Sequence, residues 1–83
     1  MAGQAQSVLD GVREIVGRYN RSDRPLEAGT HFTDDLGIDS TAAMDIIMEV
    51  EDRFEIDIPL NRVSEILTIG DLAAVVAERV STK

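Results

Sequence analysis

A chain of 83 residues, 43% hydrophobic and 29% charged, is one domain spanning 1–83 with room for a modest core, not a disordered segment. It has no cysteine, which rules out disulfides and thiolate metal sites, and its net charge of −8 repels nucleic acid, whose binding needs Lys and Arg. No run is long and apolar enough to span a membrane, and residues 1–20 lack a signal-peptide pattern, so the expected compartment is the cytoplasm.

Helical periodicity dominates. Val8, Val12, Ile15, Val16 and Tyr19 share one face, predicting an amphipathic helix over about residues 5–19, with Ser7 or a neighbour as its cap. Gly11 and Gly17 weaken this helix. From Asn20 to Asp39 the periodicity stops, and Pro25, Gly29, Asp34, Asp35 and Gly37 mark turns. Leu26, Phe32, Leu36 and Ile38 are spaced to pin this long loop onto a core, and a loop of this length points to function. A second helix is predicted over about 40–54, with Asp39 as N-cap and Ala43, Ile46, Ile47, Val50 and Phe54 as its buried stripe. Pro59 opens a short third helix over about 60–67, with Val63 and Ile66 facing inward. Thr68-Ile69-Gly70-Asp71 is a variant capping box ahead of a last helix carrying Ile69, Leu72, Ala73, Val76, Ala77 and Val80. Ser81-Thr82-Lys83 is a frayed tail, and no segment alternates as a strand. The expected fold is all-α: three main helices, one short helix and a long first loop.

The chemistry concentrates around Asp35-Leu36-Gly37-Ile38-Asp39-Ser40. Ser40 has two readings. One is a helix N-cap, where serine is favoured. The other is a modification site, because a phosphodiester at a helix N-terminus meets free N–H groups and the positive dipole end. No histidine base accompanies Ser40 in the sequence, which argues against a hydrolase triad. His31, the only histidine, reads as a surface residue, and Asp34, Asp35 and Asp39 do not have calcium-loop spacing, so no metal site is expected. Nine carboxylates against the single base Arg53 lie between Asp34 and Asp57. They serve either to steer a basic partner or simply to keep the chain soluble. Met44 and Met48 read either as margin of the core or as an adaptable partner patch.

The chain resembles the bacterial type II acyl carrier proteins from about Gln6 to Val80. The resemblance rests on Phe32-Thr33-Asp34-Asp35-Leu36-Gly37-Ile38-Asp39-Ser40, with support from Glu49-Val50-Glu51-Asp52-Arg53-Phe54, Ile56-Asp57-Ile58-Pro59 and Thr68-Ile69-Gly70-Asp71-Leu72. It implies a four-helix bundle whose Ser40 carries 4′-phosphopantetheine, with Asp39 and Gly37 shaping the attachment turn. An acyl chain, held as a thioester, would lie among Ile46, Val50, Ile58, Val63, Ile66 and Leu67. Partners would read Thr41, Met44, Asp45, Met48, Glu51 and Asp52 on the second helix. Those partners would be a phosphopantetheinyl transferase and acyl-transferring or acyl-modifying enzymes with basic patches. The carrier would be a monomer and not an enzyme itself. Thr41 departs from the leucine that usually follows the modified serine, which points to a specialised lipid or secondary-metabolite pathway. The alternatives are an aminoacyl or peptidyl carrier, and an unmodified helical interaction module.

Overall fold

The computed structural model describes the backbone of residues 2–20, 22 and 24–81, and the side chains of those from Val8 onward. Among the described residues the chain forms four helices: α1 (Ala2–Gly17), α2 (Ser40–Phe54), α3 (Leu60–Val63) and α4 (Ile69–Ser81). The expected all-α bundle with one short helix and a long first loop is therefore what the chain adopts.

Its core follows from the helical stripes. Val12, Ile15 and Val16 of α1, Ile46 and Val50 of α2, and Ile69, Leu72 and Val76 of α4 are almost wholly removed from water. α1 packs most extensively on α4 and also against α2, and α2 closes on α4. Gly11 belongs to this packing. A Cβ there would lie 2.7 Å from Phe54 Cζ, so its cost in helix propensity accompanies a close approach of α1 to α2. Polar ties flank the same seam: Arg53 Nη1 lies 2.8 Å from Glu14 Oε1, Arg18 Nη1 lies 2.6 Å from Glu49 Oε1, and the Tyr19 hydroxyl donates to Glu49.

The long loop is held by its own side chains and by the start of α4. Phe32, Leu36 and Ile38 are buried, and Leu26 packs against the same core. Thr30 is buried too. Its hydroxyl donates to Pro25 O and accepts from Glu27 N, both at 3.0 Å, which satisfies a polar side chain taken out of water. Phe32 N donates to Leu67 O at 3.1 Å and Ile69 N to Thr30 O at 3.0 Å, forming an isolated bridge between His31 and Thr68.

This bridge corrects the predicted third helix, which ends at Val63 rather than near Leu67. The Leu67 carbonyl is engaged by the loop, while Asp71 Oδ2 accepts from the N–H groups of Leu67 and Thr68 at 3.0 and 3.1 Å. Both groups are thus drawn out of a helical ladder. Thr68 Oγ1 in turn accepts from Asp71 N at 3.0 Å, completing the capping box. These bonds hold the Asp71 carboxyl below the usual carboxylate range, the Leu67 N–H being the largest cause. α1 also differs from expectation. It starts at Ala2, so Ser7 lies within the helix and cannot begin it; the Ser7 side chain lies outside the described residues. The predicted frayed tail is in part helical, since Ser81 ends α4, and Thr82 and Lys83 lie outside the described residues.

Candidate functional site

The loop delivers the chain to α2 through a tight turn. Asp35 N and Leu36 N donate to His31 O, Gly37 N to Thr33 O and Ile38 N to Phe32 O. Gly37 sits at φ 67°, in the left-handed region that a side chain disfavours. Asp39 then adopts an extended conformation, and its Oδ1 accepts from Ala42 N at 2.9 Å, while its carbonyl accepts from Ala43 N at 2.9 Å. Asp39 is therefore the N-cap. Ser40 follows as the first helical residue, exposed, and its hydroxyl makes no hydrogen bond among the described residues. This corrects the reading of Ser40 as a cap, since that work is already done by the residue before it.

Ser40 stands at the edge of a cleft of about 440 Å³, walled by His31, Phe32, Thr33, Asp34, Ala43, Met44, Val63, Ile66 and Leu67. Behind it lies an inner cavity of about 40 Å³ lined by Phe32, Ala43, Ile46, Ile47, Val63, Ile66 and Leu72. Of the six residues expected around an acyl chain, Ile46, Val63 and Ile66 line the inner cavity, and Leu67 lines the outer cleft, 62% exposed. Val50 and Ile58 line neither; both are buried in the core. Phe32, Ala43, Ile47 and Leu72 are wall residues that the sequence presents only as loop anchor or helical core stripe. A larger, open hollow of about 580 Å³ is lined by loop residues between Arg24 and Asp35, and Ser40 is not among them.

α2 presents the residues expected to face partners, with one exception. Thr41, Met44, Asp45, Met48 and Asp52 are exposed, Met44 at 40% and Met48 at 62%, so the methionines are not core margin. Glu51 is half-buried, and its Oε2 accepts from Ile58 N at 2.9 Å, tying the α2–α3 connection to α2. That function was not visible as sequence spacing. α3 is lashed to α4 by Arg62, whose Nη1 and Nη2 reach the two carboxylate oxygens of Glu78 at 2.8 and 3.1 Å. Arg62 holds the Glu78 carboxyl below its usual range. His31 is exposed, with Nδ1 3.7 Å from Asp35 Oδ2. Among the described residues no group of three His, Cys, Asp or Glu side chains is placed to hold a metal, and no helix is long and apolar enough to cross a membrane.

An exposed serine, relieved of capping by the residue before it, stands at a helix start beside a largely apolar cleft in a small acidic bundle. The chain belongs to the family described as phosphopantetheine attachment site, whose sequence model matches residues 6–76. It is 36% identical over 78 residues to an acyl carrier protein of Beutenbergia cavernae, covering 93% of this chain and 95% of that one. It is 37% identical over 75 residues to an acyl carrier protein of Kineococcus radiotolerans, covering 88% and 91%. A solved structure of a proposed acyl carrier protein from Mycobacterium tuberculosis superposes with a TM-score of 0.79 at 34% identity, covering 86% of this chain and 96% of that one. The function is accordingly that of an acyl carrier protein, and its cofactor is 4′-phosphopantetheine.

Proposed function

We propose that Ser40 is the attachment point, and that the chain carries acyl groups as thioesters on the arm it receives there. The observation that carries this reading is the division of labour at the start of α2. Asp39 caps the helix through Ala42 N, which leaves the exposed Ser40 hydroxyl available at the positive end of a 15-residue helix. The neighbouring cleft suits the arm, since Met44, Val63, Ile66 and Leu67 offer it apolar walls. When attached, the arm supplies the thiol that holds cargo as a thioester. The protein's own residues orient it and shelter the apolar end of the cargo, and no step of catalysis falls to them.

The enzymes that load and use such a carrier would dock on α2. A phosphopantetheinyl transferase and acyl-handling enzymes with basic patches fit a face carrying Asp45 and Asp52 beside Met44 and Met48, with Thr41 next to the attachment point. We place this carrier in the cytoplasm. Intact mass tests the attachment. Wild type incubated with coenzyme A and a broad-specificity transferase gains the mass of one arm, and Ser40→Ala gains none. Equal labelling of the two proteins would remove Ser40 from the mechanism, and no labelling of wild type would favour an unmodified interaction module.

A further inference from the structure

His31, the only histidine of the chain, is left without a task by the carrier reading, yet the fold places it on the wall of the cleft that Ser40 edges. Its backbone is fixed. His31 N donates to Asp35 Oδ2 at 2.8 Å, its carbonyl accepts from Asp35 N and Leu36 N at 3.2 Å, and it bridges Thr68, the residue before α4. The exposed imidazole is held on one side only. Its Nδ1 lies 3.7 Å from Asp35 Oδ2. That carboxylate favours a proton on Nδ1 and leaves Nε2 for a ligand.

The other walls of the cleft have no side-chain donor to spare. Phe32, Ala43, Met44, Val63, Ile66 and Leu67 carry no N–H or O–H. Asp34 only accepts, and the Thr33 hydroxyl donates to Ile38 O at 3.2 Å. Ser40 gives up its hydroxyl proton when it takes the arm. A phosphopantetheine arm is rich in acceptors, its phosphodiester oxygens and amide carbonyls. Each one laid against apolar walls loses water unless a donor meets it. With the ring neutral and its proton on Nδ1, Nε2 is itself an acceptor and cannot serve. Protonation turns it into a donor. The charged groups around the ring are Asp34 and Asp35 of the loop, Arg24, which lies 3.8 Å from Asp35, and Asp71 of α4, whose carboxyl senses the imidazole. None of them replaces the imidazole, since the carboxylates only accept and Arg24 pairs with Asp35.

We propose that His31 is a positioning residue for the arm: its protonated ring donates from Nε2 to an oxygen of the arm, phosphodiester or amide carbonyl, and holds the arm along the cleft. When the Nε2 proton leaves to water, the arm is released. Asp35 keeps the ring turned for this by facing Nδ1. An exposed charged contact of this kind changes the ratio of docked to free arm by about 1.5- to 5-fold. The proposal deepens the carrier reading and rests on Ser40 bearing the arm.

The test uses the full chain carrying its arm, transferred to Ser40 from coenzyme A with carbon-13 in its amide carbonyls, and intact mass confirms the arm in every sample. NMR spectra at about pH 5.5 and about pH 8 bracket the range in which histidine changes charge. Neither a phosphodiester nor an amide titrates there, so an arm signal that moves between the two reports a neighbour. In wild type the phosphorus signal moves if the phosphodiester is the acceptor, and a carbonyl signal moves if an amide is. Through-space contacts between the arm's methyl groups and those of Val63, Ile66 and Leu67 weaken at the higher pH. In His31→Ala neither signal moves and the contacts are weak at both values. That substitution keeps the backbone N–H that Asp35 accepts, and a thermal melt checks the fold. His31→Lys, a donor at both pH values, keeps the contacts at both and serves where the alanine variant does not fold. Wild-type arm signals that ignore pH overturn the proposal. So does a His31→Ala protein that follows wild type, or a His31→Lys protein that loses the contacts at the higher pH. These results leave the attachment reading standing, whereas absence of the arm by mass overturns both.

Discussion

Glu51 and Asp52 are adjacent acids on α2, and reversing each one separately distinguishes structural from docking charge. Glu51 Oε2 accepts from Ile58 N at 2.9 Å, and Ile58 is buried, so losing this acceptor strands a donor away from water. A hydrogen bond to a charged group contributes about 1.5–3 kcal/mol, and Glu51→Lys forfeits it entirely. Glu51→Gln keeps an acceptor oxygen without the charge and should cost only about 1 kcal/mol. Asp52 is exposed and makes no ion pair among the described residues, so Asp52→Lys should change stability by no more than about 0.5 kcal/mol. In a domain of this size each kcal/mol shifts the midpoint by about 4–8 °C, so urea and thermal melts resolve these differences readily. Association with a phosphopantetheinyl transferase, followed by stopped flow across a salt series, should show the opposite ranking. Asp52→Lys slows association while remaining folded, and added salt slows wild type in the same way. The reasoning is refuted if Glu51→Lys melts like wild type, or if Asp52→Lys is destabilised as much as Glu51→Lys.

The two residues at positive φ among the described ones, Gly37 and Glu55, should respond in opposite directions. Gly37→Ala places a side chain at φ 67° and loses about 1–2 kcal/mol, although a Cβ there meets nothing within 4 Å; Glu55→Gly relieves φ 56° and gains up to about 1 kcal/mol, both read from urea melts. Asp71 should contribute to acid sensitivity. Its folded carboxyl binds a proton less tightly than the unfolded one, so its contribution is complete above about pH 5 and is lost as the pH falls through its depressed folded value; Asp71→Asn should flatten that part of a stability–pH profile. Thr41→Leu should raise kcat/KM for a transferase of broad carrier specificity, because an exposed leucine beside Ser40 offers more apolar contact than threonine, worth at most about 1.5–3 kcal/mol. An unchanged value would make Thr41 a neutral substitution.

The starts of α2 and α4 were legible because capping is local, whereas the start of α1 was not. Asp39 and the Thr68–Asp71 pair satisfy donors within three residues of themselves, so the sequence places them directly. Features set by distant partners were not legible. The end of α3 depends on Phe32 reaching the Leu67 carbonyl, 35 positions away in the chain. Glu51 looks like any surface acid until the connection folds back and brings Ile58 N to it. Gly11 looks like a weakness until Phe54 arrives against it. The walls of the inner cavity were only half legible for the same reason. Helical periodicity says which residues of α2 and α4 turn inward, but not which of those inward residues stop short of contact and leave a space. Ile46 and Val50 share a stripe, yet only Ile46 faces the cavity.

The distribution of paired and unpaired acids bears on what the excess negative charge is for. Glu14 and Glu78 are bound to arginines, Glu49 to Arg18 and Tyr19, and Asp39, Glu51 and Asp71 accept backbone N–H groups. These acids hold helices together or close their ends. Asp45 and Asp52 are exposed and have no ion pair or side-chain hydrogen bond among the described residues. With Thr41 and the exposed Met48 they recur at positions 41, 45, 48 and 52, the spacing of one helical stripe, which begins beside Ser40. A coat that served only solubility would have no reason to place uncommitted carboxylates on the stripe that also exposes a methionine, since exposed apolar area works against solubility. The docking face proposed for α2 has reason to do both: its carboxylates would steer a basic partner towards Ser40, and its methionine would give that partner an adaptable apolar contact on arrival.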